Sequence, residues 1–451
     1  MVDENTRVIP TIAVIGRGID DITVLANHGL MAFRCLLELV EAKRINIEPI
    51  TTADEGYIPK GSRRRFHAIL CRPSWHTGDK DKDKETIVPE FVRLEFVREV
   101  RANDRAPFYI ATLSAAVSHI QKMGEGIEII RSSDGGNADA TAEITVYLAI
   151  SLKRQIHFNV INMGFGRNVR YDSMDCRSLQ GGTWTTVGSG NVARALIRRL
   201  MGLGLKRIII WNRRMSEDKF REILRDFAIC QIASFSSGTC FQTAVSSGPF
   251  CVIEGTQDKE YALKDADIVS IHAPLVEEGP SGTKHLINDD MIRIMKSSAV
   301  IVNTARHGIV DEEATIKALI AGKLFGFGSD VLEPHAEKDN AGHGNSKSLL
   351  WQAYCFGLQR VFEESGDSEH GKIFNEIVSK GKEWQSLMED MGGQDAVANK
   401  KLNILLTPHI GGWTKDAENQ VANEVIGKLL IKLGLGKDVN FYTPSVEERN
   451  V

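Results

Sequence analysis

Residues 183–214 read TWTTVGSGNVARALIRRLMGLGLKRIIIWNRR, in which a helical pattern lies between two strand-like runs. The first run ends at Gly188, where glycine permits a tight turn. Gly190 lets the backbone approach a pyrophosphate, and the small Ala193 allows the helix to pack closely on the strands. Because strand, glycines, helix and strand follow in this order, the stretch predicts a Rossmann-type βαβ unit that binds a dinucleotide.

The residues that follow the second run, Asn212, Arg213 and Arg214, bear on the choice of dinucleotide. A unit that selects NAD would place Asp or Glu here, to accept hydrogen bonds from the ribose 2′-hydroxyl. Guanidinium groups instead suit a 2′-phosphate, because their paired donors match its charged oxygens. The pattern favours NADP over NAD. The alternative is that both arginines are ordinary surface residues.

Composition places the chain among globular proteins. Its 451 residues, 42% hydrophobic and 25% charged, allow two or three domains. A net charge of −4 gives no broad basic field, which argues against a nucleic-acid partner. We see no apolar run of membrane-spanning length and no signal-like start, so we expect a cytoplasmic protein that does not bind membranes. The 7 cysteines include no CxxC pair, so we predict neither a disulfide framework nor a metal site.

Strand-like runs alternate with helical patterns along the rest of the chain, which predicts an α/β fold of two doubly wound parallel sheets. The runs are Thr11 to Ile15, Ile45 to Ile50, Phe66 to Cys71, Phe108 to Leu113 and Ile127 to Ile130 in the first unit, and Trp184 to Val187, Arg207 to Trp211, Ile268 to Ile271, Ala299 to Val302, Gly326 to Gly328 and Asn403 to Leu406 in the second. One long helix is predicted from Ala138, before the second unit. Residues 228–260, rich in Ser, Gly, Cys and Thr, are predicted to be an irregular excursion, and residues 335–402 to be a helical insertion.

Six ordered motifs identify a family resemblance. They are NADATAE at 137–143, the glycine pattern at 188–193, DADIVSIHAP at 265–274, AVIVNTARHGIVD at 299–311, GFGSDVLEP at 326–334 and NILLTPHIGGWT at 403–414. In this order they resemble the D-isomer-specific 2-hydroxyacid dehydrogenases, densely from about residue 137 to 425 and only faintly before.

The resemblance implies a domain organisation. Residues 1–137 with 414–451 would form a flavodoxin-like substrate domain, and residues 138–413 a Rossmann nucleotide-binding domain that carries the insertion at 335–402. It also implies a homodimer joined through the nucleotide-binding domains. We expect the insertion to shape or cover the substrate entrance.

The resemblance assigns three catalytic positions. Arg306, in NTARHG, matches the arginine that binds the substrate carboxylate, and His409, in TPHIGG, matches the acid/base. Imidazole suits this role because it titrates near neutral pH. The family's carboxylate, which keeps the histidine charged, is assigned to Glu333 from its Glu-Pro context. The run from Asp330 is two residues shorter than the family's pattern, so Glu337 remains an alternative.

The resemblance also implies a set of cofactor contacts. These are Gly188, Gly190, Asn191, Val192, Asn212, Arg213, Arg214, His272, Pro274, Thr304, Arg306, Asp330, His409 and Gly411. Within the set, Asn191 and Val192 would contact the pyrophosphate, and Asp330 the carboxamide.

The favoured function is an oxidoreductase that transfers hydride between NADP(H) and a small 2-keto or 2-hydroxy acid such as glyoxylate or hydroxypyruvate. The stretch 113–120, LSAAVSHI, lacks the glycine of the family's carboxylate-binding loop, so Ser114, Ser118 or His119 would have to substitute for it. This departure suits an alternative, a non-catalytic nucleotide-sensing protein like the corepressor relatives. Formate or phosphite oxidation is a third possibility within the same fold.

Overall fold

The structure is a computed structural model that describes residues 9–15, 19–50, 66–71, 97, 101, 107–113, 120, 124–132, 135–164, 175–227, 232–236, 240–243, 251–277, 279–331, 349–365, 372, 378–379, 382–391 and 402–440. The chain divides into two compact units. Unit 1 comprises residues 1–137 and 413–451, and unit 2 comprises residues 138–412. Each contains a parallel sheet flanked by helices, which confirms the predicted fold class.

The described residues contain strands β1 Thr11–Ile15, β2 Asn46–Ile50, β3 Ala68–Cys71, β4 Phe108–Thr112, β5 Ile127–Ile130, β6 Thr183–Val187, β7 Arg207–Trp211, β8 Ile232–Ser236, β9 Cys240–Thr243, β10 Val252–Thr256, β11 Ile268–Ile271, β12 Val300–Asn303, β13 Gly326–Ser329 and β14 Ile404–Leu406. They also contain helices α1 Ile19–Asn27, α2 Met31–Glu41, α3 Ala138–Arg154, α4 Ile156–Gly164, α5 Asn191–Leu200, α6 Glu217–Arg225, α7 Lys259–Leu263, α8 Asp289–Ile294, α9 Glu312–Ile320, α10 Leu349–Ser365, α11 Lys382–Asp390 and α12 Lys415–Lys432. Every strand predicted from the sequence is present within one or two residues.

Unit 1 is built on the sheet β2-β1-β3-β4-β5, in which all pairings are parallel. This order, 2-1-3-4-5, is that of flavodoxin-like folds. The C-terminal helix α12 returns to this unit, and its Val425 and Leu429 share a core with Phe33 and Leu36 of α2. The buried Glu424 of α12 accepts a hydrogen bond from the Ser132 hydroxyl at 2.6 Å, which fastens the helix to the chain that follows β5.

Unit 2 is built on the sheet β14-β13-β12-β11-β6-β7-β10-β9-β8. The strands from β14 to β10 are parallel, and the six strands from β10 to β13 follow the Rossmann order. The strand β14 extends the sheet beyond β13, and the antiparallel strands β9 and β8 extend it beyond β10. The order reverses between β11 and β6. In open α/β sheets a ligand binds at such a reversal, at the carboxyl ends of the strands.

The prediction that residues 228–260 are irregular is wrong. Antiparallel strands β8 and β9 form a hairpin there, and β10 pairs in parallel with β7. The strand β10 escaped prediction because it carries a buried carboxylate, Glu254, and a glycine, Gly255. Arg207 on β7 donates to Glu254 at 2.7 Å, and Gly255 leaves room for the Phe220 ring, which a Cβ would approach to 2.7 Å.

The single long helix predicted from Ala138 is also corrected. The helix α3 ends at Arg154, and α4 begins at Ile156. Gln155 between them has φ 50°, a left-handed conformation that continues neither helix.

The predicted insertion contributes to the core of unit 2. Its two described helices, α10 and α11, bury Phe356 and Trp384, whose ring centroids are 5.2 Å apart. Both side chains belong to the same core as Phe327 of β13 and Ile404 of β14. The polar stretch 332–348 lies outside the described residues.

Candidate active and cofactor site

The turn after β6 fits a dinucleotide. Gly188 has φ 108°, and a Cβ there would lie 2.8 Å from the carbonyl oxygen of His272. Gly190 caps α5 without a side-chain hydrogen bond, and a Cβ on it would meet nothing within 4 Å. The space beside Gly190 at the N-terminus of α5 is therefore open, and a helix N-terminus can bind a phosphate there. Ala193 is fully buried on the opposite side.

The side chain of Asn212 supports the segment after β7. Its Nδ2 donates to Ser189 Oγ at 2.8 Å, and its Oδ1 accepts from the Arg214 amide at 2.8 Å. This links the glycine turn to the two arginines expected at the ribose. Both polar atoms of the Asn212 side-chain amide therefore form hydrogen bonds within the protein.

The guanidinium groups of Arg213 and Arg214 converge on one loop. Arg213 Nη2 donates to the carbonyl oxygens of Ser281 and Gly282 at 2.8 and 2.9 Å. Arg214 Nη2 donates to Ser281 Oγ at 2.7 Å. Both arginines are exposed, and within the described part of the chain neither forms an ion pair with a carboxylate.

His272 follows β11 next to the glycine turn. Burial lowers the pKa of His272 to about 3, so the imidazole is neutral. Its Nε2 lies 2.9 Å from Ser270 Oγ, which also accepts from Trp184 Nε1 at 2.8 Å. Nδ1 is buried and has no hydrogen-bond partner among the described residues in either tautomer. A buried polar atom without a protein partner is rare in native structures, so Nδ1 is available to hydrogen-bond a ligand or a water molecule. Pro274, two residues on, accepts from the Thr283 hydroxyl at 2.6 Å.

Arg306 stands on a turn that Asn303 holds. The Asn303 side chain accepts from the Ala305 amide at 3.1 Å and donates to the Arg306 carbonyl oxygen at 2.9 Å. The Arg306 guanidinium donates to the Ala305 carbonyl oxygen at 2.7 Å and, in the described part of the chain, pairs with no carboxylate. Burial lowers the pKa of Arg306, but a guanidinium remains charged at neutral pH.

His409 lies on a loop that the Asp330 carboxylate anchors. Asp330 is buried, and it accepts from the Thr407 hydroxyl at 2.6 Å, the Ile410 amide at 2.9 Å and the Gly411 amide at 2.7 Å. A Cβ on Gly411 would lie 2.6 Å from Asp330 Oδ2, so glycine is required there. Three of about four acceptor sites of the carboxylate are therefore used by the loop.

The pKa of His409 is lowered from its ordinary value, chiefly because the ring is partly desolvated. Asp330 opposes this shift and the positive charge of Arg306 adds to it. The three charges therefore interact, although they come from different parts of the chain. Glu333 and Glu337 lie outside the described residues, as do Ser114, Ser118 and His119.

Thr304 joins the turn before Arg306 to α3. Its hydroxyl lies 2.9 Å from that of Thr145, which donates to the Thr141 carbonyl oxygen at 2.8 Å, so Thr304 is the donor of the pair. Thr304 is 8% exposed. Its backbone and methyl group therefore remain as its contacts for a ligand.

The predicted residues on unit 2 gather at one edge of its sheet. Arg306, Asp330 and His409 follow the adjacent strands β12, β13 and β14, while the glycine turn follows β6. Sequence reasoning missed four residues that support them: Asn303, Thr407, Thr145 and Ser281. Asn303 and Thr407 lie in the same motifs as Arg306 and His409 and could have been found from that closeness in sequence. Thr145 and Ser281 lie in no sequence pattern that would have indicated their role.

Among the described residues, no helix is long and apolar enough to cross a membrane. The same residues contain no group of His, Cys, Asp and Glu side chains that could hold a metal ion.

Comparison with known proteins supports the resemblance. Residues 252–352 match the model for the D-isomer specific 2-hydroxyacid dehydrogenase, NAD binding domain, and the match extends into the predicted insertion. The chain is 23% identical over 317 residues to hydroxypyruvate reductase of Thermotoga maritima, covering 70% of this chain and 74% of that protein. It is 28% identical over 213 residues to glyoxylate reductase of Thermococcus litoralis, covering 45% of this chain and 53% of that protein, so it spans about half the length of that relative.

Solved structures share the fold. D-lactate dehydrogenase from Aquifex aeolicus, complexed with NAD and lactic acid, has a TM-score of 0.54 and 17% identity, with 96% of this chain and 100% of that chain covered. A D-isomer specific 2-hydroxyacid dehydrogenase from Lactobacillus delbrueckii ssp. bulgaricus has a TM-score of 0.52 and 17% identity, with coverages of 95% and 97%.

The sheet order, the uncapped glycine turn and the cluster beside it define a dinucleotide-binding protein of the Rossmann class. Within that class, residues 252–352 match the NAD binding domain of the D-isomer specific 2-hydroxyacid dehydrogenases, and the chain is similar to reductases of that family.

Proposed function

We propose that this protein is an NADPH-dependent reductase of a small 2-keto acid of the glyoxylate or hydroxypyruvate type. The observation that carries the proposal is the cluster of Arg306, His409 and Asp330 at the ends of three adjacent strands, on the same sheet edge as the glycine turn. The substrate class is taken from the names of the hydroxypyruvate and glyoxylate reductases that the chain resembles.

Arg306 binds the substrate in this proposal. Its guanidinium has no carboxylate partner among the described residues, so its paired donors can take the substrate carboxylate and the keto oxygen. Asn303 fixes the turn and thereby limits the rotation of the arginine backbone. The nicotinamide would supply hydride to the keto carbon.

His409 delivers the proton to the keto oxygen. Desolvation and Arg306 favour the neutral ring, while Asp330 favours the charged one. An anionic substrate on Arg306 removes part of the opposing positive field, so binding of the substrate raises the pKa of His409. Glu333 is proposed as the second carboxylate that keeps His409 charged, with Glu337 as the alternative.

The preference for NADP rests on the two arginines. Both are exposed, and their described acceptors are neutral carbonyl and hydroxyl groups. A dianionic 2′-phosphate would therefore meet uncompensated charge. Changing both arginines to alanine should weaken NADPH far more than NADH, and equal weakening of both would assign these residues to the surface alone.

The domain roles and the dimer are part of the proposal. In this proposal residues 138–413 form the nucleotide-binding domain, and residues 1–137 with 414–451 form the substrate domain. The exposed apolar side chains of Tyr147 on α3 and of Ile156, Val160 and Met163 on α4 support a dimer through the nucleotide-binding domain. Val160→Glu should then produce a monomer in sedimentation.

The deciding experiment is turnover of a panel of 2-keto acids with NADPH and NADH. The reductase is supported if the unmodified chain consumes NADPH with a keto acid and if Arg306→Ala and His409→Gln each reduce this turnover strongly at every pH tested. Tight binding of the cofactor without turnover of any keto acid would instead support the non-catalytic alternative.

A further inference from the structure

The chain after β11 forms a loop whose base Thr283 fastens. This 274–283 loop is described except for residue 278. The Thr283 hydroxyl donates to the Pro274 carbonyl oxygen at 2.6 Å and accepts from the Val276 amide at 2.7 Å. Thr283 is 5% exposed, so these bonds are shielded from water. The ends of the loop are thus tied together, which restricts the movement of its tip at Ser281.

The tip of the 274–283 loop contacts both arginines. It uses only Nη2 of Arg213 and Nη2 of Arg214. A guanidinium has five N–H donors, so most donors of each arginine remain for another acceptor. The loop therefore orients the two side chains without saturating them.

The described residues of the loop also leave the charges of the arginines intact. Ser281 and Gly282 offer neutral acceptors, and Glu277, the described one of the loop's two acidic residues, lies 3.0 Å from Lys284 instead. An arginine that is already held loses less rotamer freedom when it binds a phosphate. A phosphate site requires arginines of this kind, whose guanidinium groups are held in place but keep their positive charge.

We propose that Ser281 is a positioning residue for cofactor choice. By accepting the hydrogen bond from Arg214, its hydroxyl holds the guanidinium where it meets the ribose 2′-phosphate, so that the 274–283 loop contributes to the selection of NADP. This inference rests on the proposed binding of NADP by Arg213 and Arg214.

The test measures binding of two probes to the full chain by calorimetry, adenosine 2′,5′-bisphosphate and adenosine 5′-monophosphate, which differ only in the 2′-phosphate. We expect Ser281→Ala to weaken the bisphosphate about fivefold to tenfold, the size of one ordinary net hydrogen bond, and the monophosphate less than about twofold. Ser281→Thr keeps a hydroxyl and should restore the discrimination. Glu277→Gln, on the same loop but away from the arginines, is the matched control and should leave it unchanged.

A double-mutant cycle tells whether Ser281 affects binding of the 2′-phosphate through Arg214 or independently of it. If Ser281 acts through Arg214, Ser281→Ala should add nothing to Arg214→Ala. Equal weakening of both probes by Ser281→Ala, or full discrimination in that variant, overturns the inference. The NADP proposal fails separately, if the unmodified chain binds the two probes equally or if loss of both arginines leaves discrimination unchanged.

Discussion

His409 has a left-handed backbone, with φ 57°, which a residue with a Cβ adopts at some cost. The conformation is maintained because Asp330 accepts hydrogen bonds from both residues that follow His409 and from Thr407 before it. One carboxylate therefore sets the position of the imidazole and also raises its pKa. We regard Asp330 as a residue that positions the acid/base, whatever further contact it makes with the cofactor.

The pH profile of Asp330→Asn tests this view. In the proposed reaction, reduction needs protonated His409, so the rate should fall as pH rises through the pKa of the histidine. Asp330 raises that pKa, hence the asparagine variant should lose activity at a lower pH than the unmodified chain. The measurement is kcat/KM for keto-acid reduction against pH. Asp258→Asn, which changes a helix N-cap on α7, is the control and should leave the profile in place; an unmoved profile in Asp330→Asn would contradict the assignment.

Gly188 and Gly190 should respond differently to alanine. At Gly188 a Cβ would meet the backbone of His272 and φ is 108°, so Gly188→Ala should lower the free energy of unfolding by about 1–3 kcal/mol and also weaken NADPH binding. At Gly190 the space is open, so Gly190→Ala should lower the free energy of unfolding by no more than about 1 kcal/mol, the cost of a poorer N-cap, but fill the region proposed for the pyrophosphate. Thermal unfolding without nucleotide and NADPH titration distinguish the two. Retention of full NADPH affinity in Gly190→Ala would place the pyrophosphate elsewhere.

At the scale of elements, β10 depends on a partner in another strand. The Glu254 carboxylate, 3% exposed, lies 2.7 Å from Arg207 on β7. Arg207→Met removes the charged partner from a buried carboxylate and should lower the free energy of unfolding by about 2–4 kcal/mol. Adding Glu254→Leu should recover most of the loss. In contrast, Arg221→Met breaks an exposed pair with Glu217 on α6 and should cost under about 0.5 kcal/mol in the same urea titration. Similar losses in the two single variants would contradict a special role for the buried pair.

Across the whole molecule, the distance between partners decides what the sequence could predict. The β6–α5–β7 unit was predicted because its glycines, helix and strands are consecutive. The strand β10 was missed because the arginine that permits its buried carboxylate lies 47 residues away. Likewise Asp330 reaches Ile410 and Gly411 across 80 and 81 residues, and Arg214 reaches Ser281 across 67, so only the folded sheet brings these groups together. The motifs located Arg306 and His409, but the contacts that hold them could not be derived from spacing.

The insertion gives the last prediction, because its described helices belong to the core of unit 2. Trp384 is fully buried in the same core as β13 and β14, so Trp384→Ala should remove about 3–5 kcal/mol from the unfolding free energy of this unit. A ligand stabilises the folded state that binds it, so NADPH should raise the unfolding temperature of unit 2. This shift identifies the unfolding transition that belongs to unit 2. The control is Ser386→Ala, on the exposed side of the same helix, which should change the unfolding free energy of unit 2 by less than about 0.5 kcal/mol. Deletion of residues 335–402 should therefore yield a misfolded chain and not merely an enzyme with altered substrate preference. A deletion variant that kept the nucleotide-dependent transition at its original temperature would show that α10 and α11 are dispensable to the core.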